Sequence, residues 1–381
     1  MMRAVPVTKI FAICGGTFAA CSITSASTWV DYLSQMGSLN DDFSIPHFCR
    51  QLRIRESNMT SRIAITGATG FVGKGLLAYL QQAGMTIVEI GRRPAAQEST
   101  FFQMESLGPE SDFGDALLGC DSVVHLAARV HVMRDTATDP LAAFREVNLH
   151  GTLNLARQAA TAGVRRFVYL SSVKVNGDSG AFCENDMPAP KDAYAQSKWE
   201  AEQALVQLSS ESDMEIVIIR PPLIYGPGVK GNFSSLLSWV SHGIPLPLGA
   251  IKNRRSLLAL DNLIDFIVLC LDQERSPHAA NETFLVSDQD DVSTTELLRR
   301  VAHAYGMRPR LIPVPAGLLK TSARVLGKSA VSERLLDSLT VDMTKARVLL
   351  GWQPIVTMQE QLQKMATLEA DEPKRLQRSR S

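Results

Sequence analysis

Arg62-Ile63-Ala64-Ile65-Thr66-Gly67-Ala68-Thr69-Gly70-Phe71-Val72-Gly73 decides how the rest of the chain is read. Ile63 to Ile65 is a short apolar run of the kind that forms a buried parallel strand. Glycines follow at Gly67, Gly70 and Gly73, and residues 74–82 have helical spacing. Strand, glycine turn and helix together hold a phosphate without a dedicated charge. The turn lets the backbone come close, and the helix N-terminus offers free N–H groups and the positive end of its dipole. A glycine triplet alone is a weak signal, and its place between strand and helix gives it weight. A tight turn that binds nothing is the alternative.

Outward from this stretch the chain alternates. Strands are expected at 86–90, 101–104, 122–126, 166–170 and 215–219. A helix is expected over 148–160, with Leu149, Leu153 and Ala156 on one side. Alternation at this spacing predicts a parallel sheet with helices on both faces. Right-handed crossovers then line up the strand C-termini along one edge, where ligands bind. After Arg220-Pro221-Pro222 prolines and glycines break the rhythm. Helices are expected at 233–241, 262–271 and 294–305, the last capped by Ser293 or Thr294, with a strand at 283–286 returning to the main sheet. The expected fold class is therefore α/β, a doubly wound parallel sheet of Rossmann type with a smaller α/β C-terminal substrate lobe. The expected division is an extension over 1–58, a dinucleotide-binding domain over 59–222, a substrate lobe over 223–370 and a disordered tail over 371–381.

Residues 1–58 read differently from the rest. Residues 9–23 are a short apolar run behind Arg3 and Lys9, similar to a secretory h-region, and Phe18-Ala19-Ala20-Cys21 loosely resembles a lipoprotein cleavage box. Export would part a nucleotide-binding enzyme from its cofactor. The favoured expectation is an extension outside the fold, with translation beginning near Met59. Lys plus Arg equals Asp plus Glu at 39 each, so no overall charge points to nucleic acid or an acidic membrane. Six cysteines without a C-x-x-C pair argue against zinc and a disulfide framework, and suit a reducing cytoplasm. No metal is expected. No apolar run is long enough to span a bilayer.

Tyr194-Ala195-Gln196-Ser197-Lys198 is the second informative stretch. Tyr and Lys four apart share one helix face. A free phenol has a pKa of about 10, and a neighbouring ammonium favours its phenolate. Such a tyrosine can give a proton to a carbonyl oxygen or take one from an alcohol. The plain alternative is a surface pair. Ser171 and Ser172 end a strand on the ligand edge, where a hydroxyl can hold the same oxygen; an ordinary polar strand end is the alternative.

Taken together these stretches resemble the extended short-chain dehydrogenase/reductase family, the branch of nucleotide-sugar epimerases, dehydratases and reductases. The resemblance runs from residue 62 to about 354. Besides the glycine stretch it rests on Asp121-Ser122-Val123-Val124-His125-Leu126-Ala127-Ala128, Val147-Asn148-Leu149-His150-Gly151-Thr152, Tyr169-Leu170-Ser171-Ser172 and Tyr194 with Lys198. Farther on come Arg220-Pro221-Pro222-Leu223-Ile224-Tyr225-Gly226-Pro227, Asp261-Asn262-Leu263 and Lys345-Ala346-Arg347-Val348-Leu349-Leu350-Gly351-Trp352.

By that resemblance Tyr194 is the acid/base, and Lys198 lowers its pKa and holds the nicotinamide ribose. Ser172 is the catalytic hydroxyl, four residues before Asn176, which stands where the family has the Tyr of V-Y-G. Asn148 is the helix Asn near the catalytic Lys, or else a helix-bending core residue. Gly67, Thr69, Gly70, Phe71, Val72, Gly73, Leu126, Ala127 and Ala128 are expected on the cofactor. Arg255 is implied as the clamp on the substrate diphosphate; Asn232, in Gly228-Val229-Lys230-Gly231-Asn232-Phe233, is expected on the substrate.

Two departures narrow the expectation. Where NAD-using members carry an acid, this chain has Gly91 followed by Arg92 and Arg93, which favours NADP(H), with NAD(H) the alternative. The Asp-Glu pair of 4,6-dehydratases is replaced by Val173-Lys174, which disfavours loss of water. Runs such as Ala128-Arg129-Val130-His131-Val132-Met133 are similar to bacterial O-antigen enzymes acting on UDP-sugars. The implied function is reduction, with NADPH, of the C4 ketone of a UDP-4-keto-6-deoxy-hexosamine in lipopolysaccharide sugar synthesis. Alternatives are a UDP-glucose 4-epimerase, a hydroxysteroid- or flavonoid-type ketone reductase, and a non-catalytic NADP sensor or scaffold. The expected partner is a UDP-sugar, with no nucleic acid, no stable membrane insertion, a homodimer and a cytoplasmic location.

Overall fold

The computed structural model describes residues 61–95, 99–130, 138–327 and 329–378, together with Ala12–Cys14 and Thr17–Ala19. The chain divides into two units, 1–58 and 59–381. In the first, Ala12–Cys14 and Thr17–Ala19 pair antiparallel, Ala12 opposite Ala19. The other expectations for this unit lie outside the described residues.

In the second unit the strands, numbered in chain order, are β1 (Arg62–Thr66), β2 (Thr86–Gly91), β3 (Thr100–Gln103), β4 (Ser122–His125), β5 (Arg166–Leu170), β6 (Gly180–Phe182), β7 (Glu215–Arg220), β8 (Leu223–Tyr225), β9 (Leu257–Ala259), β10 (Thr283–Leu285) and β11 (Leu339–Val341). Seven of them form one parallel sheet in the order β10-β7-β5-β4-β1-β2-β3. This is the expected α/β doubly wound sheet. The order reverses between β1 and β4, where Thr66 lies opposite His125. Crossovers leave that point in opposite directions and open a crevice at the strand C-termini.

The sheet is apolar on both sides because both are covered. Ile63, Ile65 and Val124 pack beneath helices Phe71–Gln82 and Leu260–Leu271. Ala64, Val88, Val123 and Phe167 pack beneath Thr152–Thr161 and Ala193–Glu211. A third cluster, including Tyr225, Phe233, Leu257, Leu298, Val301 and Met365, forms the core of the C-terminal part. Two parallel strand pairs lie outside the main sheet: β8 with β9, and β6 with β11, Gly180 opposite Leu339. Asn262 is buried beside them. It donates to Asp288 Oδ1 and Val356 O and accepts from the Ile355 and Val356 N–H groups.

Two elements differ from expectation. The helix expected over 148–160 starts earlier and is not uniform. Pro140–Arg145 is α-helical, capped by Asp139; Glu146–Gly151 is a π-turn; Thr152–Thr161 is α-helical again. The wide turn rotates the face, so the last segment buries Leu155, Ala156 and Ala159, while Leu149 and Leu153 are half-buried. The second is the last helix, Met358–Arg378, which runs into the stretch expected to be a disordered tail.

Candidate active site

Strand β1 ends into the glycine turn. Gly67 has φ +76°, and a Cβ there would lie 2.7 Å from the Ala127 nitrogen. A Cβ on Gly73 would lie 2.1 Å from the Gly67 carbonyl oxygen, and one on Gly70 3.1 Å from it. The Gly70 N–H donates to Gly67 O at 2.9 Å, and Gly70 caps helix Phe71–Gln82 with no side-chain bond. The helix N-terminus thus stays open, with Thr69 exposed beside it. Val72 is buried, while Phe71, Leu126, Ala127 and Ala128 are half-buried along the same turn and the end of β4. A cradle that no side chain can fill, at a helix N-terminus at the sheet's crossing point, fits the pyrophosphate of a dinucleotide.

Beneath the cradle the polar core is closed. His125 is fully buried; its Nδ1 meets Thr66 Oγ1 at 2.6 Å and its Nε2 meets Thr152 Oγ1 at 2.9 Å. Burial pushes its pKa down to about 3, with Lys198 acting in the same direction, so the imidazole is neutral. It stacks on Tyr169, ring centroids 5.7 Å apart.

Helix Ala193–Glu211 carries Tyr194 and Lys198 on one face and is capped by Asp192, which accepts from the Ala195 N–H at 2.8 Å. Lys198 is buried. Its Nζ donates to Leu170 O at 2.9 Å and sits 4.4 Å from the Tyr169 ring centroid. Burial brings the Lys198 ammonium down to about 7, while Glu202 pulls the other way. Burial, then the Asp192 carboxylate, raises the Tyr194 phenol to about 12. Phe144 meets the Tyr194 ring edge-on at 6.2 Å. Leu170 leads directly to Ser171 and Ser172, so the Lys198 bond clamps the helix onto that strand end. Ser172 Oγ accepts from the Lys174 N–H at 3.3 Å. Lys174 in turn pairs with Asp192 at the start of the Tyr194 helix.

Asn148 lies buried in the π-turn. It accepts from the Arg129 N–H at 2.8 Å and donates to Arg129 O and Ser197 Oγ, both at 3.0 Å. It joins the segment after β4 to the helix of Tyr194 and Lys198, and the wide turn aims it there. Arg92 and Arg93 are exposed just after β2. Arg255 is half-buried in the C-terminal part, its Nη1 donating to Asp337 O at 3.0 Å. Asn232 opens helix Asn232–Ser241, and its side chain lies outside the described residues.

Three groups escaped the sequence reading. Glu89, on β2 two residues before Gly91, is buried and accepts from the Ala95 N–H at 2.7 Å and from Ser99 Oγ. Ser171 bonds to Glu202, and Glu202 pairs with Arg220. Only the fold brings these partners together. His125 stood in a quoted motif, but its role follows from Thr66 and Thr152 flanking it. No helix among the described residues is long and apolar enough to cross a membrane.

Residues 63–285 match the NAD dependent epimerase/dehydratase family. A UDP-glucose 4-epimerase of Vibrio cholerae is 45% identical over 312 residues, which cover 80% of this chain and 94% of that protein. Two solved structures share the fold at lower identity. A short-chain dehydrogenase/reductase superfamily protein from Agrobacterium tumefaciens with bound NAD matches with a TM-score of 0.66 at 23% identity, covering 83% of this chain and 99% of that one. The UDP-N-acetylglucosamine 4-epimerase from Bacillus cereus matches with a TM-score of 0.66 at 22% identity, over 81% and 99%.

Proposed function

The chain belongs to the NAD dependent epimerase/dehydratase family, and from that premise we propose that it reduces the C4 ketone of a UDP-4-keto-6-deoxy-hexosamine. The observation that carries the reading is the buried Lys198 ammonium, one helical turn from the Tyr194 phenol and bonded to the strand end that presents Ser172. Bound NAD(P)H supplies the hydride. Tyr194 holds its proton at neutral pH and donates it to the C4 oxygen as negative charge develops there. Ser172 hydrogen-bonds the same oxygen and fixes it against the phenol. Lys198, while protonated, stabilises the phenolate left behind. Asn148 holds the segment after β4 against this helix. Gly67, Gly70 and Gly73 leave room for the pyrophosphate, with Thr69, Phe71, Val72, Leu126, Ala127 and Ala128 around it. Arg255 offers a planar fork for the substrate diphosphate, and Asn232 stands on the substrate side.

The proposed cofactor is NADP(H). Arg92 and Arg93 follow Gly91 where a 2′-phosphate would lie, and Glu89, the carboxylate on that strand, is bonded to the following loop. A second reading, 4-epimerisation of a UDP-hexose, is favoured by the Vibrio cholerae relative. Hydride stoichiometry separates them. With a UDP-4-keto-6-deoxy-hexosamine, one NADPH is consumed per product; interconversion of UDP-glucose and UDP-galactose without NADPH loss replaces the reductase reading. Tyr194→Phe is expected to abolish turnover and keep cofactor binding, and an active variant ends the acid/base assignment.

A further inference from the structure

Tyr194, Lys198 and Glu202 recur every fourth residue along one helix, so they share a face. Glu202 is buried at the inner end of that row. Arg220 Nε lies 3.1 Å from both its carboxylate oxygens, and Arg220 Nη2 is 2.5 Å from Oε2. Ser171 Oγ donates to Oε1. The Arg220 Nη1 donates to Asn176 Oδ1 at 3.1 Å, and its guanidinium lies over the Trp199 ring, 5.7 Å from the centroid. Asn176 closes the short turn that Ser172 begins, and the Val173 N–H donates to Pro221 O, next to Arg220. One ion pair therefore touches the helix of Tyr194 and Lys198, the strand end of Ser171 and Ser172, and the turn beyond it.

A buried ion pair is weak evidence for stability, since apolar residues of similar volume often serve as well. What apolar residues cannot supply is a negative charge behind Lys198. Around Lys198 stand Tyr194 and Glu202 on its own helix, Tyr169 on β5, His125 on β4, and Arg220 on β7 behind Glu202. Burial keeps Tyr169 protonated and His125 neutral. Among the described residues Glu202 is the carboxylate that acts on Lys198.

We propose that Glu202 is a positioning residue: its carboxylate, held by Arg220 and Ser171, keeps the Lys198 side chain charged and locks the Ser172 strand end against the Tyr194 helix. The proposal rests on the assignment of Tyr194 and Lys198 made above. Lys198 loses its proton at lower pH without Glu202, and the alkaline limb of activity follows it.

The test follows the 13Cε resonance of Lys198 in the full chain with NADPH bound, assigned by its absence in Lys198→Met, through a pH titration. Turnover is measured over the same range. Glu202→Gln is expected to move the Lys198 titration and the alkaline limb of kcat/KM down by about one pH unit. Because Glu202→Gln leaves the Arg220 cation unpaired near Lys198, Glu202→Gln with Arg220→Met is measured beside it as a charge-balanced variant and is expected to move both quantities in the same direction by a smaller amount. A Lys198 titration or an alkaline limb that stays in place in the folded variants overturns the proposal. Full activity in Lys198→Met overturns the assignment of Lys198 instead, and the proposal with it.

Discussion

Gly73→Ala isolates the cradle from the rest of the site. Gly73 lies in helix Phe71–Gln82 at a negative φ, so alanine is acceptable there on conformational grounds. The obstacle is space: the added Cβ meets the Gly67 carbonyl oxygen at 2.1 Å and Ala68 Cα at 2.7 Å, both backbone atoms. Relief requires the helix start to move outward by roughly 1 Å, an overpacking that costs about 1–3 kcal/mol and occasionally more. For a unit of this size each kcal/mol lowers the melting temperature by about 2 °C, so the ligand-free variant is expected to melt about 2–6 °C lower. The same movement pulls the helix N-terminus away from Gly67. Cofactor at one hundred times its Kd stabilises the parent protein by about 2.7 kcal/mol, and Gly73→Ala is expected to lose most of that gain. Differential scanning fluorimetry with and without NADPH reads both quantities. Gly70→Ala, with its 3.1 Å contact, is the graded control and is expected to lose less. A Gly73→Ala protein with the parent melting temperature and the parent cofactor shift refutes the close-approach reasoning.

Two further outcomes follow from other parts of the site. His125 has a folded pKa of about 3 against 6.5 in the free state, so between those values the unfolded chain binds the extra proton. Its contribution is fully present above pH 6.5 and declines as pH falls, by about 2 kcal/mol between pH 7 and 5. Urea unfolding at the two pH values measures this, and an equal decline in His125→Gln assigns the loss to other groups. At the end of β2, replacing Arg92 and Arg93 with alanine is expected to raise the KM for NADPH about tenfold or more and to leave that for NADH nearly unchanged; equal effects on both cofactors remove the arginines from 2′-phosphate recognition.

The elements legible in the sequence were those set by local pattern. The run at Ile63–Ile65 announced a buried strand, and alternation announced the parallel sheet. Ser293 was one of two expected caps of its helix, and it accepts from the Glu296 N–H at 3.0 Å. What stayed hidden depends on a residue count that breaks a period or on partners far apart in the chain. One residue more in the turn at Glu146–Gly151 shifts the face presented afterwards, and a 3.6-residue template has no place for it. Glu202 is unremarkable as a letter, and Arg220 stood in a quoted motif without a partner. They become a pair because helix Ala193–Glu211 lies along β7, and Glu89 is engaged because the loop after β2 folds back over it. The candidate site was similarly divided: that Tyr194 and Lys198 share a helix face was readable from spacing, and the Leu170 carbonyl that holds Lys198 was not.

The pairing of β6 with β11 bears on how the molecule is made. Gly180–Phe182, just beyond the turn that Ser172 begins, has its parallel partner among the described residues at Leu339–Val341, far along the sequence. During synthesis β1 through β5 can associate while the ribosome is still translating, because each neighbour has already emerged. The Ser172 side of the crevice has no such option: its flanking strand waits for residue 341. A nascent chain stalled before that point would carry the glycine cradle and lack the strand that closes the loop beyond Ser172. The strands around the glycine cradle can thus pair before residue 339 has emerged, and the strand pair beyond Ser172 cannot.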